Sequence, residues 1–363
     1  MNIKLAFRDE DWERIRRDWS AWWAHELDRP MVMVESMNLL FGMPDEFTVD
    51  FMLNKPIEEV LDYYQGRMEL IKYHGDSFPK WWPNFGPGIA AGFLGSKIVG
   101  MPNERTVWFE PPGGNVDIKN IHFEYKADNI WWRRILDLTR AAVERWGDRV
   151  CVGFTDIGGN LDIIVSFRGA QNLYCDLIEA PEEVARLSGE ITPIWLRYYD
   201  ELYKIIEKTG RGTTPWAAVW SPKKTYMLQC DFSYGISPKM FEKFALPDLE
   251  ACCARLDHAF YHLDGIGAIP HLDMLLSIKN LRGIQWIPGA NQAQAEEWLP
   301  LLKRIRDSGK LVQVFTTQAG ARKIARELGG RGFALYVFAF PPMSEPEIES
   351  FINEMKTQYS GVR

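Results

Sequence analysis

The stretch Ala259–Ala290, AFYHLDGIGAIPHLDMLLSIKNLRGIQWIPGA, decides the fold. Ala259 to Leu263 is a short apolar run of the kind that forms a strand buried on both faces. It ends in His262 and Asp264, and Gly265 then breaks it. Side chains two apart on a strand share a face, so His262 and Asp264 point the same way. A helical stretch follows, with Pro270 near its start and Leu272, Leu275, Leu276 and Ile278 at helical spacing. A second buried strand, Gly283 to Ile287, closes at Pro288-Gly289. Strand, helix and strand in so few residues imply a parallel pair with a right-handed crossover. Polar residues where such strands end are where α/β barrels keep their chemistry.

The flanking sequence repeats the pattern. Strands expected from 259, 283, 311 and 333 are spaced by about two dozen residues, as in βα units rather than hairpins. Upstream, Val150–Phe154 reads as a buried strand ending at Thr155-Asp156, and Gly158-Gly159 permits a tight turn. Pro215–Trp220 and Thr225–Cys230 read as two further strands, the second ending in Gln229-Cys230-Asp231. Helices are expected over 131–146, in pieces from Pro181 to Lys208, after Ser237-Pro238, and over 293–307, 318–328 and the segment capped by Ser344. Residues 7–28, FRDEDWERIRRDWSAWWAHELD, form an amphipathic opening helix, Met31–Val34 a first strand, and Ile57–Tyr73 another helix. Residues 74–116 are crowded with Gly, Pro and aromatics and read as a long irregular insertion. No low-complexity linker or shift of composition divides the chain. The expected architecture is one (β/α)8 barrel domain over 1–363, with an N-terminal helical elaboration and an aromatic-rich loop.

Composition narrows the function. With 363 residues, 46% apolar and 25% charged, the chain is an ordinary globular one, but its 15 Trp and 13% aromatic content can furnish both a core and an aromatic-lined pocket. A net charge of −7 with no basic run excludes nucleic acid as an expected partner. Five Cys without CxxC, no signal peptide and no apolar run of membrane-spanning length suggest a reducing, cytoplasmic location. GxxxxGK[ST], GxGxxG, GxSxG and HExxH are all missing, which removes the commonest nucleotide, esterase and metalloprotease readings.

The candidate site residues follow from strand ends. His262 with Asp264 is suited to a divalent metal or to acid–base work, and equally to a structural hydrogen bond. Gln229 and Asp231 share a face, whereas Cys230 points away as a buried hydrophobe. Asp156 is a further carboxylate candidate, although Asp before glycines is also a common turn device. Trp81, Trp82, Asn84 and Phe85 are candidates for an aromatic wall, joined by Trp286. His271 and Asp273 read as helix-capping groups.

DFSYGISPKMFEKFALPDL from Asp231, YHLDG from Tyr261 and GIQWIPGA from Gly283, with VGFTDIGGNLDIIVSFRG and the DLIEAPEEV helix start, resemble the uroporphyrinogen decarboxylase superfamily. The resemblance spans about residues 150–340. The superfamily includes the decarboxylase and the corrinoid- and coenzyme M-dependent methyltransferases, and it implies a (β/α)8 barrel. Residues 74–95 resemble a subgroup whose members have no assigned activity. The decarboxylases hold substrate carboxylates with arginines after the first strand, where this chain has Val34-Glu35-Ser36-Met37-Asn38. They carry a His near the last strand, where this chain has Val337-Phe338-Ala339-Phe340. The methyltransferases bind zinc through His-x-Cys and a later Cys. His262 matches the first ligand, Asp264 replaces the first thiolate, and no Cys follows Cys253. The resemblance therefore implies oxygen and nitrogen ligands for any zinc: His262, Asp264 and either Asp231 or Gln229.

The expected function is methyl transfer from a small donor, neutral or aromatic, to a corrinoid on a partner protein. His262 and Asp264 would bind the metal or polarise the leaving oxygen, while Asp156, Gln229 and Asp231 orient substrate and Trp81, Trp82 and Trp286 wall the pocket. Two alternatives stand beside it. One is cofactor-free decarboxylation of a smaller substrate, with Arg168 as the cation for the departing carboxylate. The other is a non-catalytic corrinoid- or tetrapyrrole-binding protein.

Overall fold

The computed structural model describes residues 3–37, 49–101, 106–114, 116–339 and 343–361. Asn38 and Phe340, named above at the ends of the first and last strands, lie outside them. Eleven strands are present among the described residues: β1 (Met31–Met37), β2 (Ile71–Gly75), β3 (Lys80–Trp81), β4 (Lys97–Met101), β5 (Thr106–Glu110), β6 (Cys151–Val152), β7 (Thr225–Leu228), β8 (His258–Asp264), β9 (Leu281–Ile287), β10 (Leu311–Thr316) and β11 (Phe333–Val337).

Seven of these form one sheet in the order β2-β1-β11-β10-β9-β8-β7. Every neighbouring pair is parallel except β1 with β2. The strands from β7 onward read as nearly unbroken apolar runs because helices between them cover the sheet. β3 pairs in parallel with β6, and β4 with β5 forms an antiparallel hairpin. Among the described residues, strand pairing does not close the large sheet on itself. Backbone hydrogen bonds add to these pairings: Asp76 N donates to Val32 O of β1 at 2.8 Å, Gly153 N to Trp81 O alongside the β3–β6 pair at 2.7 Å, and Phe154 N to Thr214 O beyond β6 at 3.0 Å.

The opening helix, Asp9–Trp23, presents Trp12, Ile15, Trp19, Trp22 and Trp23 to a core that includes Met31, Met33, Met227, Phe260, Leu311 and Ala334. Its tryptophans sit against the residues that begin the strands. Trp23 stacks on His258 at 4.2 Å and donates through Nε1 to Trp220 O at 2.9 Å. A buried aromatic of this size contributes about 3–5 kcal/mol against truncation to Ala. The helix therefore seals the N-terminal edge of the sheet, and the opposite edge is left for chemistry.

Several local expectations are corrected. The helix from Ile57 stops at Leu70, because 71–75 pair as β2 with β1. The region 74–116 is less irregular than its composition suggests, holding β3, the buried helix Ala90–Leu94 and the β4–β5 hairpin. Residues 215–220 are not a strand; mutual hydrogen bonds between Thr213 and Ser221, 2.8 and 2.9 Å, bracket an irregular run. Pro181–Ile206 is one continuous helix despite Pro193, and the helix expected from Ala293 begins at Leu299 after a short 3-10 turn. Ser344 and Glu347 form the reciprocal cap of the last helix as read from sequence. No helix among the described residues is long and apolar enough to cross a membrane.

Candidate functional site

The C-terminal ends of the parallel strands surround a cavity of about 310 Å3. Such edges are where open α/β sheets bind ligands, because the loops there converge while the strands hold them fixed. Asp156 follows β6, Gln229 and Asp231 follow β7, and His262 lies at the end of β8. Trp82 and Asn84 follow β3, and Trp216 comes from the irregular run before β7. Sequence reasoning named all of these except Trp216.

His262 is oriented by a relay of buried amides. Ala218 O can only accept, so Gln313 turns Nε2 toward it at 3.3 Å. Gln313 Oε1 then accepts from Gln285 Nε2 at 2.8 Å, which leaves Gln285 Oε1 facing His262 Nδ1 at 2.5 Å. An amide oxygen there requires the proton on Nδ1, so of the two neutral tautomers the one with its lone pair on Nε2 is selected. That nitrogen lies 3.9 Å from Asp264 Oδ2, too far for a hydrogen bond. The Trp216 ring meets the imidazole edge to face at 5.1 Å.

One ligand atom each from Asp231, His262 and Asp264 lies within 4.8 Å of the others. Ligands at about 2.0–2.2 Å from a tetrahedral ion stand roughly 3.3–3.6 Å apart, so these side chains would draw together to hold one, and an imidazole with two carboxylates suits zinc or another borderline divalent metal. The donor set fits a metal. An outer acceptor on the other imidazole nitrogen is the usual partner of a ligating histidine, and Gln285 supplies it.

Carboxylates crowd the same space. Burial raises the Asp156 carboxyl to about 6, against the opposing pull of the Gly158 and Gly88 amides, of His262 and of Gln229. Gly158 N donates to it at 2.8 Å and Gln229 Nε2 at 3.4 Å. Asp231 opens onto the cavity yet stands deep within the protein, and this depth, with the charges of Asp156 and Asp264, raises it to about 7. Asp162, which sequence reasoning missed, is raised to about 7 by burial and by Asp231. Its carboxylate accepts from Phe232 N at 2.8 Å and Asp231 N at 3.1 Å, so it clamps the turn that carries Asp231.

A second cavity of about 620 Å3 adjoins the first, and Pro87, Thr106, Gln229 and Asp231 line both. No Lys or Arg is among the described residues lining either.

Four expected site residues lie elsewhere. Arg168 lines neither cavity; its guanidinium holds Asp176 through Nε at 2.5 Å and Nη2 at 3.1 Å, and Nη1 donates to Val116 O. It is a buried ion pair rather than a substrate cation. Trp81 points away from Trp82, as neighbours on a strand must, and packs on Trp146 at 5.4 Å and Tyr64 at 5.7 Å. Phe85 is buried against Trp131 at 6.0 Å, and Trp286 against Trp298 at 5.2 Å. The segment that carries Trp81 and Phe85 is tied down beyond them: Ile89 N donates to Asp156 O at 2.9 Å and Asn129 Nδ2 to Gly92 O at 3.0 Å.

No family model and no curated protein matches this chain. Among solved structures it is similar to a methyltransferase from Methanosarcina mazei, with a TM-score of 0.61 at 12% identity, over 95% of this chain and 98% of that one. A B12-independent methionine synthase from Shewanella sp. W3-18-1, in complex with selenomethionine, matches over 74% of each chain at 13% identity, with a TM-score of 0.34. The first likeness is one of fold.

Proposed function

We propose that this chain is a cytoplasmic methyltransferase-like enzyme of the uroporphyrinogen decarboxylase superfamily, acting as a single closed (β/α)8 barrel. It would pass a methyl group from a small methyl donor to a corrinoid carried on a partner protein. Closure is supported by the backbone hydrogen bonds made by Asp76, Gly153 and Phe154, and by a core drawing on β1, β6, β7, β8, β10 and β11 together. The fold shared with the Methanosarcina methyltransferase supports the reaction class.

The observation that carries the reading is His262, held through Nδ1 by Gln285, on the wall of one cavity with Asp231, and with Asp264 grouped beside the two of them. A zinc ion held there would supply Lewis acidity toward the donor oxygen. Breaking an O–CH3 bond heterolytically leaves the bonding pair on oxygen, sends the methyl carbon to the acceptor and requires a proton for the leaving group. Asp156, titrating at about 6 on the same wall, holds such a proton over a useful fraction of molecules near neutrality. Gln229, from the end of β7, donates to it at 3.4 Å and would orient substrate. Decarboxylation is less well supported, since no Lys or Arg among the described lining residues would receive the departing carboxylate. A degenerate binding site would have its polar groups consumed by one another, and the 3.9 Å between His262 Nε2 and Asp264 Oδ2 is too long for that.

The test is elemental analysis of wild-type protein and His262→Ala, followed optically by methyl transfer from methyl ethers to cob(I)alamin. About one equivalent of zinc, lost with His262, together with turnover supports the reading. Metal-free protein after anaerobic purification with added zinc, and no turnover, would sink it and leave the cofactor-free lyase.

A further inference from the structure

We infer that a third cavity, of about 240 Å3 and far from the strand ends that carry His262, binds a small zwitterionic α-amino acid whose presence is felt at His262. It lies where β8 begins: Trp220 on its wall accepts from Trp23 Nε1 at 2.9 Å, and the next residue, Ser221, contacts His258 Nδ1 through Oγ at 2.8 Å. The inference goes beyond methyl transfer and does not depend on it.

The first observation is charge. Arg16, from the opening helix, and Glu207, from the 3-10 turn Glu207–Thr209 after the helix Pro181–Ile206, both line this cavity. They do not pair with each other. Arg16 makes one long hydrogen bond, Nη2 to Gly210 O at 3.4 Å, and the Glu207 side chain makes none among the described residues. A lone anion entering here meets the carboxylate, and a lone cation meets the guanidinium. A ligand that carries both charges answers both, its carboxylate facing Arg16 and its ammonium facing Glu207.

The second observation is the wall itself. Tyr203, Trp220 and Pro222 give it apolar surface, and its volume falls below the range of about 300–1,000 Å3 typical of drug-sized ligands, which suits a compact aliphatic metabolite. The shape is held in advance. Trp220 Nε1 donates to Arg211 O at 2.7 Å, and Gly212, with φ +81°, passes where a Cβ would stand 2.6 Å from the Trp220 ring. Thr213 also lines the cavity; it is 2% exposed, and its Oγ1 is buried with no hydrogen-bond partner among the described residues. Buried hydroxyls are normally satisfied, and a charged ligand group is a partner for this one.

The third observation links the two ends of the sheet. Thr213 and Ser221 exchange backbone hydrogen bonds at 2.8 and 2.9 Å, and so bracket the run that carries Trp216 and Ala218. Trp216 meets the His262 ring, and Ala218 O starts the amide relay that ends on His262 Nδ1. A ligand held by Thr213 bears on the base of the element that orients His262.

Titration calorimetry on the intact protein with L-leucine, N-acetyl-L-leucine and L-leucinamide tests this. Leucine should bind with millimolar affinity or better, and each blocked compound about threefold to fivefold more weakly, the worth of one charge pair at an open wall. Arg16→Gln should bring leucine down to the level of leucinamide, and Glu207→Gln down to that of N-acetyl-leucine, because each variant removes the partner of the group that compound lacks. Both residues are exposed, so neither substitution threatens folding. Thr213→Val removes a hydroxyl that has no partner, so it should weaken leucine by a similar factor while the melting temperature holds. Saturating leucine should also shift the 15N resonances of His262, identified by their loss in His262→Ala. Blocked compounds that bind as well as leucine, affinity indifferent to Arg16→Gln and Glu207→Gln, or no binding at about 10 mM, overturns the site. Leucine binding that leaves the His262 resonances unmoved overturns the link between the two ends.

Discussion

His262 Nδ1 lies 2.5 Å from Gln285 Oε1, and the orientation of that amide is dictated two residues away by the carbonyl of Ala218. A main-chain oxygen thus determines which imidazole nitrogen faces the cavity. Gln285→Leu should lose this control. Histidine 15N shifts would then change from the Nδ1-protonated tautomer to a mixture, and zinc affinity would fall about 10- to 100-fold, as when other outer-sphere partners are removed. The substitution also strands Gln313 in the core, at about 1–3 kcal/mol. Gln285→Glu, which keeps the acceptor, should preserve the tautomer. An unchanged tautomer in the leucine variant would show that the relay does not orient His262.

Asp162 makes a different kind of prediction, since it acts through the backbone of Asp231 and Phe232. Asp162→Asn retains one acceptor oxygen but not the pair of accepted bonds. The expected cost is about 1–2 kcal/mol, from hydrogen bonds of a charged acceptor. Asp231 should become less well placed, so any metal or substrate affinity drops with it while the melting transition stays cooperative. Denaturant titration together with ligand binding reads both effects, and an Asn variant with wild-type values in each would remove Asp162 from the site.

These two residues mark the boundary of what the sequence discloses. His262, Asp264, Gln229, Asp231 and Asp156 are legible because apolar strands end in polar residues, and a period of two places alternate positions on one face. The same rule could have flagged Gln285 and Gln313, polar residues inside GIQWI and LVQVF, as interior groups needing partners. Trp81 and Trp82 show its converse: adjacent residues cannot both face the cavity, and Trp81 is turned into the helix layer. Asp162 reads as an ordinary helical residue, because its role depends on a turn 69 residues away. Arg168 misleads for a similar reason. Asp176, eight residues on, becomes its partner only once the chain kinks at Gly169 between two helices.

Gly158 reports on the fixed wall. Its φ is +67°, and an added Cβ would stand 2.8 Å from Gly88 Cα. Gly158→Ala must therefore part the two loops that Ile89 N and Asp156 O hold together, besides adopting a left-handed backbone at about 1–2 kcal/mol. The expected result is a lower melting temperature and weaker ligand binding together, because Asp156, Asn84 and Pro87 move as one wall. A full-affinity variant with only a stability loss would show that the cavity tolerates separation of these loops.

At the opposite edge, His258 ties stability to pH. Burial, aided by the charges of Arg282 and Lys223, lowers it to about 4, while its ring stacks on Trp23 and Nδ1 contacts Ser221 Oγ at 2.8 Å. The unfolded chain takes up this proton near 6.5, so between about 6.5 and 4 it binds more protons than the folded one. Stability therefore falls as pH drops through that window, by an amount of order 3 kcal/mol from this residue. Asp156, raised to about 6, acts the other way below that pH, since there the folded chain holds the extra proton. Comparing wild-type protein with His258→Gln cancels the Asp156 contribution. Unfolding free energies of the two proteins from denaturant titrations at pH 7, 5.5 and 4.5 should converge toward acid pH, because only the wild-type protein loses the His258 contribution there. Parallel curves across the range would mean that His258 accepts a proton without leaving its stack on Trp23.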